Sequence, residues 1–155
     1  ASLRAIFMTK NVRTEIQRSC EVKMEQVEAA ACLGLLEFLK SKHSELYGIF
    51  AGSAMDTLDP TMQLAYQEVI SQPRDLEMIR AKIKQGFYHT MDDFKADMHL
   101  CFDNSQLFCG MYPQFKHVVD LAKKTKDIFN KKYTTEAKAA AKKVTSGAGG
   151  GAAGG

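Results

Sequence analysis

The sequence predicts an all-α fold: four main helices, with one long loop between the first and the second. Three observations predict it. A proline-free stretch from Val12 to Lys42 carries apolar residues three or four apart. Two later segments open on helix-capping residues, Asp75 and Thr90. No run alternates apolar and polar residues over the length of a strand. Spacings of three and four place side chains on one helix face, whereas a half-buried strand alternates every second residue. At 155 residues, 45% of them hydrophobic, the chain suits one domain with a single core.

The first helix is justified by Ile16, Cys20, Met24, Val27, Ala31, Leu35 and Leu39, which form one apolar stripe. Leu33, Leu36 and Phe38 widen it late, so the second half is expected to be the more buried. Gly34 is its weak point, costing about 1 kcal/mol relative to alanine. The segment from His43 to Leu76 has no sustained period and contains Pro60 and Pro73. Tyr47, Ile49, Phe50, Met55, Leu58 and Leu64 make it too apolar for a solvated linker. A packed loop with one or two short helices is expected, one of them near Thr61 to Val69.

Asp75 is a favourable N-cap for the second main helix, with Leu76, Ile79 and Ile83 inward and Gly86 as its stop. Thr90 and Asp93 have the spacing of a capping box and open the third. Its inward face is Phe94, Met98, Cys101, Ser105 and Phe108. Phe115, Val118, Val119, Ala122, Phe129 and Tyr133 mark the last helix. Residues 134–155, rich in Ala, Gly and Lys, are expected to form a disordered tail or linker.

Charge is unevenly placed. Nine lysines against three acids lie from Lys116 onward, while residues 61–115 hold five basic and seven acidic residues. A cationic partner is therefore the more natural one at the mildly acidic head. Lysines 123, 124, 126, 131 and 132 are read as a solvated helix face rather than a nucleic-acid surface. The four cysteines, Cys20, Cys32, Cys101 and Cys109, have no CxxC pairing, so a reduced intracellular protein is expected. No stretch is long and apolar enough to cross a bilayer, and no basic-then-apolar signal pattern opens the sequence. His43, His89, His99 and His117 fall on separate elements, so neither a metal site nor a cofactor is expected. Nucleophilic catalysis needs a base beside the nucleophile. His117 on the next helix is the one histidine near Cys109, and no third orienting group accompanies them, so no enzyme is expected.

The run "YQEVISQPRDLEMIRAKIKQGFYHTMDDFKADMHLCFDNSQLF" resembles the heart of a bromodomain. The ordered matches are Tyr66, the Val69–Ile70 pair, Pro73, Asp75, Leu76, Ile79, Gly86, the aromatic pair Phe87 and Tyr88, Phe94, Asp97, Phe102, Asn104 and Phe108. "LLEFLKSKH" is similar to the end of the family's first helix, and the resemblance runs from about Cys32 to Tyr133. It implies a left-handed four-helix bundle that binds acetylated lysine between its inter-helix loops. It divides the chain into an N-terminal helical extension at 1–31, a bromodomain-like domain at 32–133 and the tail at 134–155.

The resemblance also implies a pocket: Ile49 or Phe50 as the shelf, Met55 beside it, Tyr66 reaching the acetyl group through water, then Phe108, Cys109 and Phe115, the last as gatekeeper. Asn104 matches a structural asparagine of the family. At Cys109 the family usually has an asparagine that donates to the acetyl carbonyl, and its Trp-Pro-Phe shelf is also replaced here, by "YGIFAG". A thiol is a weak donor. A poorly partnered carbonyl costs about 1–3 kcal/mol, roughly one to two powers of ten in affinity. Two functional readings follow. One is a nuclear reader that binds an acetylated histone tail, or another acetylated protein, weakly, with Asp56, Asp59 and Glu68 drawing in neighbouring lysines. The other is a non-reading scaffold that holds other chromatin proteins.

Overall fold

The computed structural model describes residues 24–154, with side chains for 24–145. Six α-helices lie among the described residues: α1 (Gln26–Lys42), α2 (Ser44–Ala51), α3 (Pro60–Val69), α4 (Leu76–Lys84), α5 (Met91–Cys109) and α6 (Lys116–Gly154). Short 3-10 turns at Ala54–Thr57 and Pro113–Phe115 precede α3 and α6. No strand occurs among the described residues. The four main helices are α1, α4, α5 and α6: α1 packs on α6, α4 and α5, while α5 packs on α6 and α4.

The first helix begins later than its apolar stripe suggests. Met24 and Glu25 are not helical, and the Glu25 backbone N–H donates to Glu28 Oε1 at 3.1 Å. That bond satisfies one of the donors a helix start leaves open, so α1 starts at Gln26. Ile16 and Cys20 lie outside the described residues. Within α1 the second half is the more buried, with Cys32, Leu35, Leu36 and Leu39 inside, while Val27 and Ala31 are half-buried.

The long connection is packed, as its apolar content requires. It forms α2, a 3-10 turn and α3, and it delivers Tyr47 and Phe50 to the main core. Leu64 departs from expectation and is 64% exposed, because α3 turns only Tyr66 and its neighbours Met62, Ala65 and Val69 inward. Asp59 caps α3 by accepting the Met62 N–H at 2.9 Å, and Pro60 fills its first position, where no backbone donor is needed. Asp75 caps α4 in the same way, through the Met78 N–H at 2.8 Å. Gly86 then takes φ +74°, the left-handed conformation that closes α4. Its N–H reaches the Ile83 carbonyl at 3.1 Å and the Phe87 N–H reaches Lys82 at 3.0 Å, a Schellman ending. At the start of α5 both halves of the Thr90–Asp93 capping box form, at 3.1 and 3.3 Å.

The expected disordered tail is replaced by helix. Past Tyr133 the backbone of α6 stays helical to Gly154, and Ala140 is only 3% exposed. Ala137 also packs against the main core, and Ala140 lines a groove with Val27, Ala30 and Ala31 of α1. Phe129 and Tyr133 anchor the helix, and each further residue then adds a backbone bond at no nucleation cost. "EAKAAAKK" consists of strong helix formers, and Ala137 and Ala140 extend the inward face at helical spacing.

One carboxylate ties these elements together. Asp97, on α5, accepts from Arg74 Nε at 3.0 Å, Lys82 Nζ at 2.6 Å and Tyr88 Oη at 2.7 Å. Those donors come from the α3–α4 connection, from α4 and from the α4–α5 connection. Burial pushes the Asp97 carboxyl up, but the bonds from Lys82 and Tyr88 and the charges of Lys82 and Arg74 outweigh it and hold it below its ordinary range.

A carboxylate with a depressed folded value stabilises the protein above its unfolded pKa, about 4, and that contribution is lost as pH falls through the folded value. Asp97→Asn is expected to cost about 1.5–3 kcal/mol near neutrality, the range for hydrogen bonds to a charged group. In urea titrations run at several pH values, the gap between wild type and variant should close below about pH 4. Ala140→Glu, which forces a charge and extra volume into the α1–α6 contact, should lower stability by about 1–3 kcal/mol. No measurable change would mean that this part of α6 is not docked.

Candidate functional site

Two apolar clusters lie on either side of the last turns of α5. The main core contains Phe50, whose ring meets Phe102 edge-on at 5.4 Å. A smaller cluster is centred on Tyr66, Ile70 and Phe108, with Cys109, Tyr112 and Phe115 packed against it. Tyr66 meets Phe108 edge-on at 5.1 Å, and Phe115 stacks on Phe108 at 6.4 Å with 27° between the rings. Between the clusters is a cavity of about 350 Å³.

Six of the seven residues singled out from the sequence line this cavity: Ile49, Phe50, Tyr66, Phe108, Cys109 and Phe115. Met55 does not line it. It belongs to the second residue of the 3-10 turn Ala54–Thr57 and packs against the Tyr66 cluster. In a 3-10 turn residues three apart eclipse each other. Ala54 and Thr57 therefore share a side and line the cavity in place of Met55. Leu58, Ser105, Gln114, His117 and Val118 also line it and were missed in the sequence. Ser105 was readable, since it stands one turn before Cys109 on α5. Gln114, His117 and Val118 flank Phe115 and follow it into the cavity wall.

Backbone-directed bonds hold the lining in place. Asn104, 8% exposed, donates through Nδ2 to the Gln72 carbonyl at 2.8 Å. That bond pins the α3–α4 connection to α5 one turn from Phe108 and keeps Tyr66 against it. Asn104 thus serves the loop, as its match to a structural asparagine implied. Gln63 Nε2 donates to the carbonyls of Met55 and Leu58, both at 2.9 Å, and fixes the 3-10 turn to α3. Gly110 follows Cys109 where a β-carbon would stand 2.7 Å from the Gln106 carbonyl oxygen.

The lining is largely apolar, with a few polar side chains. Burial pushes the Cys109 thiol above its ordinary range, so it is protonated near neutrality and acts as a small apolar group with a weak donor. Burial, with the Cys101 and Cys109 sulfurs nearby, likewise pushes the Tyr66 phenol up and keeps it neutral. His117 shares the cavity with Cys109, yet nothing lowers the thiol toward a reactive thiolate. Among the described residues no group of three or more His, Cys, Asp or Glu side chains could hold a metal ion. No described helix is long and apolar enough to cross a membrane.

The bromodomain family model matches residues 32–141, past Tyr133 and into the docked part of α6. The chain is 26% identical over 133 residues to bromodomain-containing factor 1 of Candida albicans, covering 86% of this chain and 18% of that protein. It is 40% identical over 50 residues to chromatin structure-remodeling complex subunit rsc1 of Schizosaccharomyces pombe, 32% of this chain and 6% of that one. The chain thus spans less than a fifth of the length of these relatives. Among solved structures, the second bromodomain of Candida albicans Bdf1, bound to an imidazopyridine, superposes with a TM-score of 0.58 at 28% identity. That match covers 70% of this chain and 99% of that one.

Iodoacetamide labelling of Cys109, followed by peptide mass spectrometry, should be slow at neutral pH. Its rate should still be climbing at about pH 9.5, where a thiol of ordinary pKa, about 8.5, has nearly levelled off. A plateau below pH 9 would reveal an activated thiolate and contradict this description of the pocket.

Proposed function

We propose that this chain, which belongs to the bromodomain family, is a reader module of nuclear chromatin that binds acetylated lysine in histone tails. The observation that carries the reading is the convergence of Ile49, Phe50, Tyr66, Phe108, Cys109 and Phe115 on one cavity. The apolar lysine stem runs between Ile49, Phe50 and Phe115. The neutral acetyl-amide reaches the base, with its carbonyl toward Cys109 and, through water, toward Tyr66. Unmodified lysine is rejected because its ammonium would enter a largely apolar cavity without a carboxylate to meet it. Asp56, exposed in the 3-10 turn between Ala54 and Thr57, attracts neighbouring lysines of the tail.

Binding is weak, since a protonated thiol stands where the family usually has an amide donor. Apolar enclosure supplies most of the affinity and the polar groups supply orientation. The relative named as a chromatin-remodelling subunit supports placement among other chromatin proteins in the nucleus. The solved relative bound to an imidazopyridine supports a ligand-binding role for this fold. The protonated thiol supports a binding module rather than an enzyme.

The test is an NMR titration with acetylated and unmodified histone-tail peptides. Only the acetylated peptides should shift resonances of the pocket residues, and Tyr66→Phe should weaken that response. Cys109→Asn should tighten binding about ten- to a hundredfold, the worth of one well-made hydrogen bond to a buried carbonyl. Equal behaviour of the two peptide pools, with binding appearing only in Cys109→Asn, would instead indicate a non-reading scaffold.

A further inference from the structure

We infer that the pocket prefers a neutral acyl-lysine longer than acetyl, of the propionyl or butyryl class, an inference that rests on the reader function proposed above. It starts from the part of the cavity wall that Cys109 forms. Cys109 presents a protonated thiol there, which binds water and amides poorly and apolar atoms well. Cys109 packs against the Tyr66, Ile70 and Phe108 cluster, and Phe50 and Val118 of the main core add apolar wall to the same cavity. The polar lining residues Thr57, Ser105, Gln114 and His117 include no Lys or Arg.

A ligand that ends in one methyl group uses little of such a surface. Its carbonyl finds a weak donor, and the apolar wall around the thiol remains uncovered. Each added methylene group moves apolar area out of water and against that wall, and full burial strengthens binding about fourfold. Two such groups amount to about fifteenfold. A strong amide donor at the base would hold the carbonyl at a set depth and leave less room beyond it, so the same extension would gain less. A carboxylate at the end of the acyl chain reverses the gain, because it would be desolvated without a fixed cation to meet it.

Isothermal titration of the full chain with one histone-tail peptide, carrying unmodified, acetyl-, propionyl-, butyryl- or succinyl-lysine at one position, tests this directly. The expected order is butyryl tightest, then propionyl, then acetyl, with butyryl about fivefold to fifteenfold tighter than acetyl. Succinyl and unmodified lysine should fail to bind. In Cys109→Asn the acetyl peptide should gain most and the butyryl-to-acetyl ratio should fall; the wild-type series decides the question even if that variant folds poorly. Acetyl binding as tightly as butyryl, or tighter, leaves the reader function standing and overturns this inference. No acyl-dependent binding at all overturns the reader function and this inference with it.

Discussion

The arrangement around the pocket depends on the bonds that one face of α5 makes to the connections before it. Asp97, Cys101, Asn104 and Phe108 recur at helical spacing and share that face. Asp97 gathers Arg74, Lys82 and Tyr88. Two turns later Asn104 holds the Gln72 carbonyl. Cys101, buried between them, has its thiol pushed up to about 12 by burial and by the nearby carboxylates Asp75 and Asp97, and it serves as packing. The polar pins set where the α3–α4 connection lies, and that placement brings Tyr66 onto Phe108. Without them α3 would be held mainly by the small buried cluster of Tyr66, Ile70 and Phe108.

The cavity is a consequence of this division of labour. The main core closes on Phe50 and Phe102, and the Tyr66 cluster closes on Phe108. Both draw on α5, six residues apart, and neither fills the space between. A cavity built this way is largely apolar, since much of its wall comes from two hydrophobic clusters, with Thr57, Ser105, Gln114 and His117 as polar lining. In the proposed reader, with the protonated Cys109 thiol in the wall, shape and apolar contact outweigh hydrogen bonding. That balance connects Cys109 to the two proposals made above, weak acetyl-lysine binding and a preference for a longer acyl group.

Much of this was legible in the sequence where the signal is local. The caps at Asp75 and Thr90, the stop at Gly86 and the inward faces of α4 and α5 follow from short-range spacing, and each forms. The resemblance to a family singles out seven residues for a pocket, and six of them line one cavity. What was not legible depends on contacts distant in sequence or on fine local geometry. The donors to Asp97 lie 23, 15 and 9 residues before it, and nothing in the spacing announces that they converge. The eclipsed geometry that puts Ala54 and Thr57 in the wall instead of Met55 is a choice between turn types. Beyond Tyr133 the Ala, Gly and Lys composition alone points to a tail, but Ala137 and Ala140 pack inward, and that long-range contact carries the helix onward.

The central claim is that an acylated lysine enters the cavity between the two clusters. Its most direct test is a set of intermolecular NOEs from a histone-tail peptide whose lysine carries a ¹³C-labelled acetyl group. The account predicts contacts from the acetyl methyl to ring protons of Tyr66 and Phe108 and to the β-protons of Cys109, with the lysine methylenes near Phe115. An acetyl methyl that instead contacts the α1–α6 groove at Ala31 and Ala140, or no described residue at all, would contradict it.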